Sequence, residues 1–206
     1  MHDDPTTDDG ATDGDGSTGG PTDDHREAVR DAFPELDAIE DDGLRDGVVR
    51  AWATAMADNG VDDLGAVPWF PPVQRELGID DEFLVGHVRD VTACAVALAE
   101  TLLDRRTPEL STDLVVAGAL VHDVSKLYEY HGSEETAVGD LLGHPHYGVH
   151  TVAAAGLPVE LGHVVLSHTP RTAVEPATLE AELVRRADEV AASAIRLRVL
   201  SDLREA

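Results

Sequence analysis

The chain has 206 residues, one domain's worth with an extension to spare, and 42% hydrophobic residues are enough for a core. A single cysteine, Cys94, excludes internal disulfides and a cysteine-built zinc site. Asp and Glu number 41 against 15 Lys and Arg, a formal net charge of −26 that opposes nucleic acid and anionic membrane surfaces as partners. Lys126 is the only lysine, and acid-rich, lysine-poor composition fits a halophilic source with a salt-rich cytoplasm. At about 1 M salt the Debye length is about 3 Å, so self-repulsion is screened. The charge then describes the solvent more than the partner and leaves a phosphate-bearing substrate open. The N-terminus lacks the basic and apolar runs of a secretory leader, and no stretch is apolar enough to span a membrane, so a cytoplasmic location is expected.

In chain order, residues 1–24 are Asp, Gly, Thr and Pro with almost nothing apolar, which predicts a disordered acidic tail. Residues 25–79 read as a helical N-terminal extension and 80–206 as the main domain. A weak helix is expected near His25–Phe33. A stronger one covers Asp42–Asp58, with Leu44, Val48, Val49, Trp52 and Met56 at helical spacing and a stop at Asn59-Gly60. Pro68 to Pro72 breaks the pattern, and Trp69-Phe70 reads as a hydrophobic anchor. Helices follow at Asp81–Arg105 and Thr112–Leu127, then a polar loop at Tyr130–Gly139. Pro145 suits the first turn of a helix that stops at Gly156. Pro158 opens another that ends before Pro170, and a last helix covers Pro176–Leu203. No alternating strand pattern of useful length appears, so the class is all-α.

Polar residues on apolar helix faces are informative, because burying them is costly unless they are paired or bound. Asp188 shares its face with Ala181, Val184, Ala191, Ala192 and Ile195. His122 shares one with Val115, Gly118 and Ala119, and small Gly118 and Ala119 let a helix or ligand approach closely. Successive helical residues point about 100° apart, so His122 and Asp123 can converge on one ion from two directions. His87 lies above Val91, Cys94 and Leu98, and His168 below Leu161, Val164 and Val165. Singly, each has a plainer reading: a satisfied core histidine, a salt bridge, a chance dipeptide. Together they point inward from different helices, and imidazole with carboxylate suits a divalent Mn, Fe, Co, Ni, Zn or Mg ion.

The order His87, His122-Asp123, Asp188 resembles the HD-domain superfamily of metal-dependent phosphohydrolases. Leu120-Val121-His122-Asp123-Val124-Ser125-Lys126 is similar to its hallmark, where a lysine often follows the pair by three positions. Gly143-His144-Pro145 and Leu166-Ser167-His168-Thr169 resemble the additional histidine segments of binuclear members, and Ala187-Asp188 the closing aspartate. A narrower likeness, through Glu129-Tyr130-His131-Gly132, Leu141-Leu142-Gly143-His144 and Pro176 to Ala181, is to the HD domain of YhaM-type 3′–5′ exoribonucleases, although no strand-rich segment here matches their nucleic-acid-binding OB-fold.

The resemblance implies an HD-domain helical bundle with one or two divalent ions per chain. His87, His122, Asp123 and Asp188 would hold the first, His144 and His168 a second bridged by Asp123. His146 and His150, four apart on one helix, are weighed as surface or supporting residues, and His131 and His163 as structural or exposed. The expected reaction is attack of metal-activated water on a phosphate ester, with Lys126 contacting the phosphate. Arg89 and Arg171 are further candidates that the spacing does not select. A nucleotide or other small phosphate ester is the first choice of substrate. A nuclease acting on RNA or DNA ends with a partner is the second, and aromatics at 4% disfavour an autonomous stacking surface. A non-catalytic regulatory module is the third.

Overall fold

The computed structural model describes residues 20–106, 109–132 and 134–205. The tail expected over residues 1–19 lies outside them. Residues 23 and 24, expected in that tail, instead open α1 (Asp23–Ala32), because Thr22 and His25 form a reciprocal capping box. α2 (Asp42–Asn59) is capped by Asp41 and ends at Gly60 in the left-handed region. The proline break is shorter than its sequence suggests: Pro71 and Pro72 occupy the first turn of α3 (Pro71–Leu77), where a missing N–H costs nothing. α4 (Leu84–Arg106) begins three residues later than expected.

α5 (Thr112–Val121) has every residue from Val115 to Val121 buried, so it lies inside the bundle rather than on it. It packs against α2, α4, α9 and α10. The expected helix to Leu127 is broken after Val121. Val124 N–H donates to Val121 O and Lys126 N–H to Asp123 O, so residues 122–125 form tight turns before the short α6 (Lys126–Glu129). The apolar pattern hid this break, because Val121 before it, Val124 within it and Leu127 after it are all buried.

The expected polar loop holds a small hairpin, β1 (Tyr130–His131) against β2 (Glu134–Glu135), followed by α7 (Ala137–Leu141). α8 (Gly143–Ala154) and α9 (Val159–Ser167) follow. α10 spans Leu179–Arg196, shorter at both ends than expected: Thr178 caps its start, and the Leu197 N–H closes its end on Ser193 O and Ile195 O. Among the described residues no helix is long and apolar enough to cross a membrane.

One apolar core joins α1 and α2 to α5, α8 and α9 through Phe33, Trp52, Met56, Leu120, Val152 and Leu161. The Trp52 Nε1–H donates to Leu120 O at 2.9 Å, which ties the N-terminal helices to the end of α5. A second apolar group joins α4, α5 and α10. A Cβ on Gly118 would stand 3.1 Å from Val164 Cγ1, so α5 and α9 meet as closely as the small residue allows. A third, smaller group seats Trp69 and Ile79 on Ala192 and Ile195 of α10.

Candidate metal centre

The break after Val121 turns His122 and Asp123 toward the ends of α4, α8, α9 and α10. His87 arrives from α4, His144 from the start of α8, His168 from the end of α9 and Asp188 from the middle of α10. His87, His122, Asp123, His144 and His168 are all 4% exposed or less. Every ligand residue expected from the sequence therefore meets at one place.

Asp123 stands between two groups. Its Oδ2 is 3.4 Å from His87 Nε2, 3.3 Å from His122 Nε2 and 2.7 Å from Lys126 Nζ. Its Oδ1 is 3.3 Å from His144 Nε2 and 3.7 Å from His168 Nε2. Asp188 Oδ1 closes the first group, 3.0 Å from His87 Nε2 and 4.0 Å from His122 Nε2. The two histidine Nε2 atoms of the second group lie 3.3 Å apart. His87, His122 and Asp123, and separately Asp123, His144 and His168, bring donor atoms close enough together to hold a metal ion.

The rings are aimed from behind. His122 Nδ1 lies 2.6 Å from Ala119 O and His168 Nδ1 2.7 Å from Val165 O. A carbonyl only accepts, so each Nδ1 carries the proton and each Nε2 lone pair faces the centre. His144 Nδ1 is 3.0 Å from Glu129 Oε1, which also accepts from the His144 backbone N–H at 2.6 Å. Histidine ligands are commonly oriented in this way by carbonyls and carboxylates.

Burial disfavours charge on all these groups, and the partners decide the outcome. Burial and the neighbouring His122 push His168 down to about 3, so it stays neutral at ordinary pH. His122 goes the other way: against burial, Asp123 raises its pKa. Asp123 resists the same desolvation because Lys126 and His122 hold it well below the usual carboxylate range. Asp188 is likewise brought down to about 2, chiefly by His87 against its burial. Glu129 is lowered by His144, again against burial.

The donor set fits a divalent cation. His87 Nε2, His122 Nε2 and Asp123 Oδ1 are buried without a hydrogen-bond partner of good geometry. Such atoms cost about 1–3 kcal/mol each unless something else meets them, and all three point into the centre. Two carboxylates and neutral imidazoles, with no thiolate, suit oxygen- and nitrogen-preferring divalent metals.

Lys126 forms an ion pair with Asp123, and lines the opening above the histidines with Trp69, Phe70, Thr169, Arg171, Ala192 and Arg196. Arg171 therefore reaches the site. Arg89 does not, and pairs with Glu35 on the surface. His146 and His150 are exposed on α8, away from the centre. His163 is structural, its Nε2 accepting from the Ala177 N–H at 2.8 Å, and His131 is exposed.

Sequence reasoning missed Glu129 and Arg196, and read Phe70 with Trp69 as an anchor. A signal existed for Arg196, which follows Asp188 by two steps of four along one helix face through Ala192. None existed for Glu129, whose burial depends on α8 folding back over it.

A family model for the HD domain matches residues 84–193, more than half of the chain, and the chain belongs to that family. HD domains bind divalent metal ions, and the clusters described are able to hold them. The chain is also 32% identical over 114 residues to the dihydroneopterin 2′,3′-cyclic phosphate phosphodiesterase of Methanocaldococcus jannaschii. That match covers 52% of this chain and 45% of the relative, so the chain spans about half the relative's length. No solved structure matches the chain.

Proposed function

We propose that this protein is a metal-dependent phosphohydrolase that cleaves a phosphate ester of a nucleotide or related small molecule, in the cytoplasm of a halophile. The observation that carries the reading is Asp123, whose two oxygens face two separate sets of histidines. In this reading His87, His122, Asp123 and Asp188 hold one divalent ion, and His144 and His168 hold a second that shares Asp123. Bound divalent cations supply Lewis acidity, making water acidic enough to attack at neutral pH and polarising a phosphoryl oxygen.

The chain's own part is orientation and charge. Ala119, Val165 and Glu129 fix which face His122, His168 and His144 offer. Lys126, beside Asp123 at the opening, supplies a compact positive charge for a phosphate oxygen, which gains strength as water is excluded. A phosphodiester is favoured over a monoester, since that is the bond named for the archaeal relative. A nucleic-acid end stays second, because aromatics at 4% of the chain disfavour an autonomous stacking surface.

The test measures metal content in high salt for the native protein and for Asp123→Ala. Hydrolysis of an aryl phosphodiester and an aryl phosphomonoester with Mn is followed in parallel. Near-stoichiometric metal and Mn-dependent turnover, both lost in the variant, are expected. A native protein that binds no metal under any condition would sink the proposal.

A further inference from the structure

The family-matched segment is 84–193, yet the opening over its histidines is finished by residues outside it: Trp69 and Phe70 before, Arg196 after. Many arginines elsewhere in this acidic chain are answered by carboxylates, as in Arg89–Glu35, Arg185–Glu175, Arg186–Glu182 and Arg198–Asp81. Around the opening rings take part: Arg196 meets Trp69, and Arg171 meets Phe70 as well as Glu129. The Arg196 guanidinium carbon lies 5.6 Å from the Trp69 ring centre, and among the described residues Arg196 makes no ion pair. The Arg171 guanidinium lies 5.7 Å from Phe70, and its carboxylate neighbour, Glu129 Oε1, is 3.8 Å away. Lys126 Nζ lies 5.4 Å from Phe70 and 5.8 Å from Trp69.

The difference matters electrostatically. A carboxylate cancels the charge it holds, whereas an aromatic face attracts a cation through its quadrupole and leaves the charge in place. Helical side chains lean toward the N-terminus of their helix, so Arg196 reaches back past small Ala192 toward Asp188. Trp69 is 2% exposed and packs with Ile79, Ala192 and Ile195, so the ring that meets Arg196 is itself held firmly.

We infer that Arg196 and Arg171, carried on Trp69 and Phe70, form an anion-binding rim that takes the phosphate oxygens of the ligand above the histidine centre. Trp69 and Phe70 are positioning residues that hold the cations in place. The ligand class is a phosphate or polyphosphate oxyanion. The inference rests on the phosphohydrolase reading for its substrate, but the rim itself belongs to the chain.

The experiment titrates inorganic phosphate and pyrophosphate into the protein by calorimetry, both metal-loaded and stripped of metal. The native protein is compared with Arg196→Ala, Arg196→Lys, Arg171→Ala and Phe70→Leu, each checked for metal content and thermal midpoint. Arg196→Ala and Arg171→Ala should each weaken binding about tenfold, Arg196→Lys and Phe70→Leu less, with metal content unchanged. Loss for both ligands puts Arg196 on the phosphate nearest the histidines. Loss for pyrophosphate alone puts it on a second phosphate, and either result supports the rim. Affinities within about twofold of native in both alanine variants overturn it. If the rim variants lose phosphate while the native protein hydrolyses nothing, the rim stands and the phosphohydrolase reading fails. Turnover with unchanged phosphate binding in the variants means the reverse.

Discussion

The two oxygens of Asp123 look into unlike neighbourhoods. On the Oδ2 side stand a second carboxylate, Asp188, two histidines and Lys126. On the Oδ1 side stand two histidines whose Nε2 atoms face each other, with Glu129 set behind one of them. The first side is rich in charge. The second is neutral at His168 and borrows its negative charge from Asp123. Attraction for a divalent cation grows with nearby negative charge, so the first side should hold an ion more tightly than the second.

The largest effect should come from removing what the sides share. Asp123→Ala should lose both ions and slow hydrolysis about a thousandfold or more, equivalent to about 4 kcal/mol, read by metal analysis and kcat. Next come variants that separate the sides. Asp188→Ala should empty the first side and leave a weakly held ion, while His168→Ala should leave close to one tightly held ion per chain; equal affinity for the remaining ion in both would mean that the sides do not differ.

Glu129→Gln sharpens the contrast. It should weaken the second ion by about tenfold to a hundredfold and leave the first untouched, because the carboxylate holds His144, by its ring and its backbone N–H, and no histidine of the first side. Stepwise chelation should remove the weaker ion first, and full removal should lower the thermal midpoint. An ion present at 100 times its Kd stabilises by about 2.7 kcal/mol. The smallest effect is expected at Arg89→Ala. It removes an exposed pair with Glu35 far from either side, so stability should change by less than about 1 kcal/mol and turnover not at all.

Much of the first side was legible in the amino-acid order. His87, His122 and Asp188 each interrupt an apolar face, and periodicity exposes such interruptions. The class of the fold was legible for the same reason. The break after Val121 was not, because a turn closed by i to i+3 bonds keeps nearly the same apolar spacing as a helix. Glu129 reads as an ordinary acid in a polar loop; it is buried only because α8 starts beside it. Phe70 reads as an anchor, and its neighbour Trp69 is one, but the cation on Trp69 depends on where α10 ends and that on Phe70 on where Arg171 falls before α10. Such contacts join segments more than a hundred residues apart in the chain, and local pattern carries no record of them.

The turns after α5 have one more consequence. Val124 N–H bonds to Val121 O, so it does not return to Leu120, as it would in an unbroken helix. The Leu120 carbonyl is thereby released two residues ahead of the pair that would bind metal, and Trp52 of α2 claims it. Residues 25–79 are thus no ornament that a shortened gene could shed. A chain started at residue 80 would strip that carbonyl of its donor and bare the apolar face that Phe33, Trp52 and Met56 share with Leu120. The histidine-aspartate pair keeps its aim only while the preceding stretch is folded around it, so a relative that dispensed with that stretch would need another donor at the same spot.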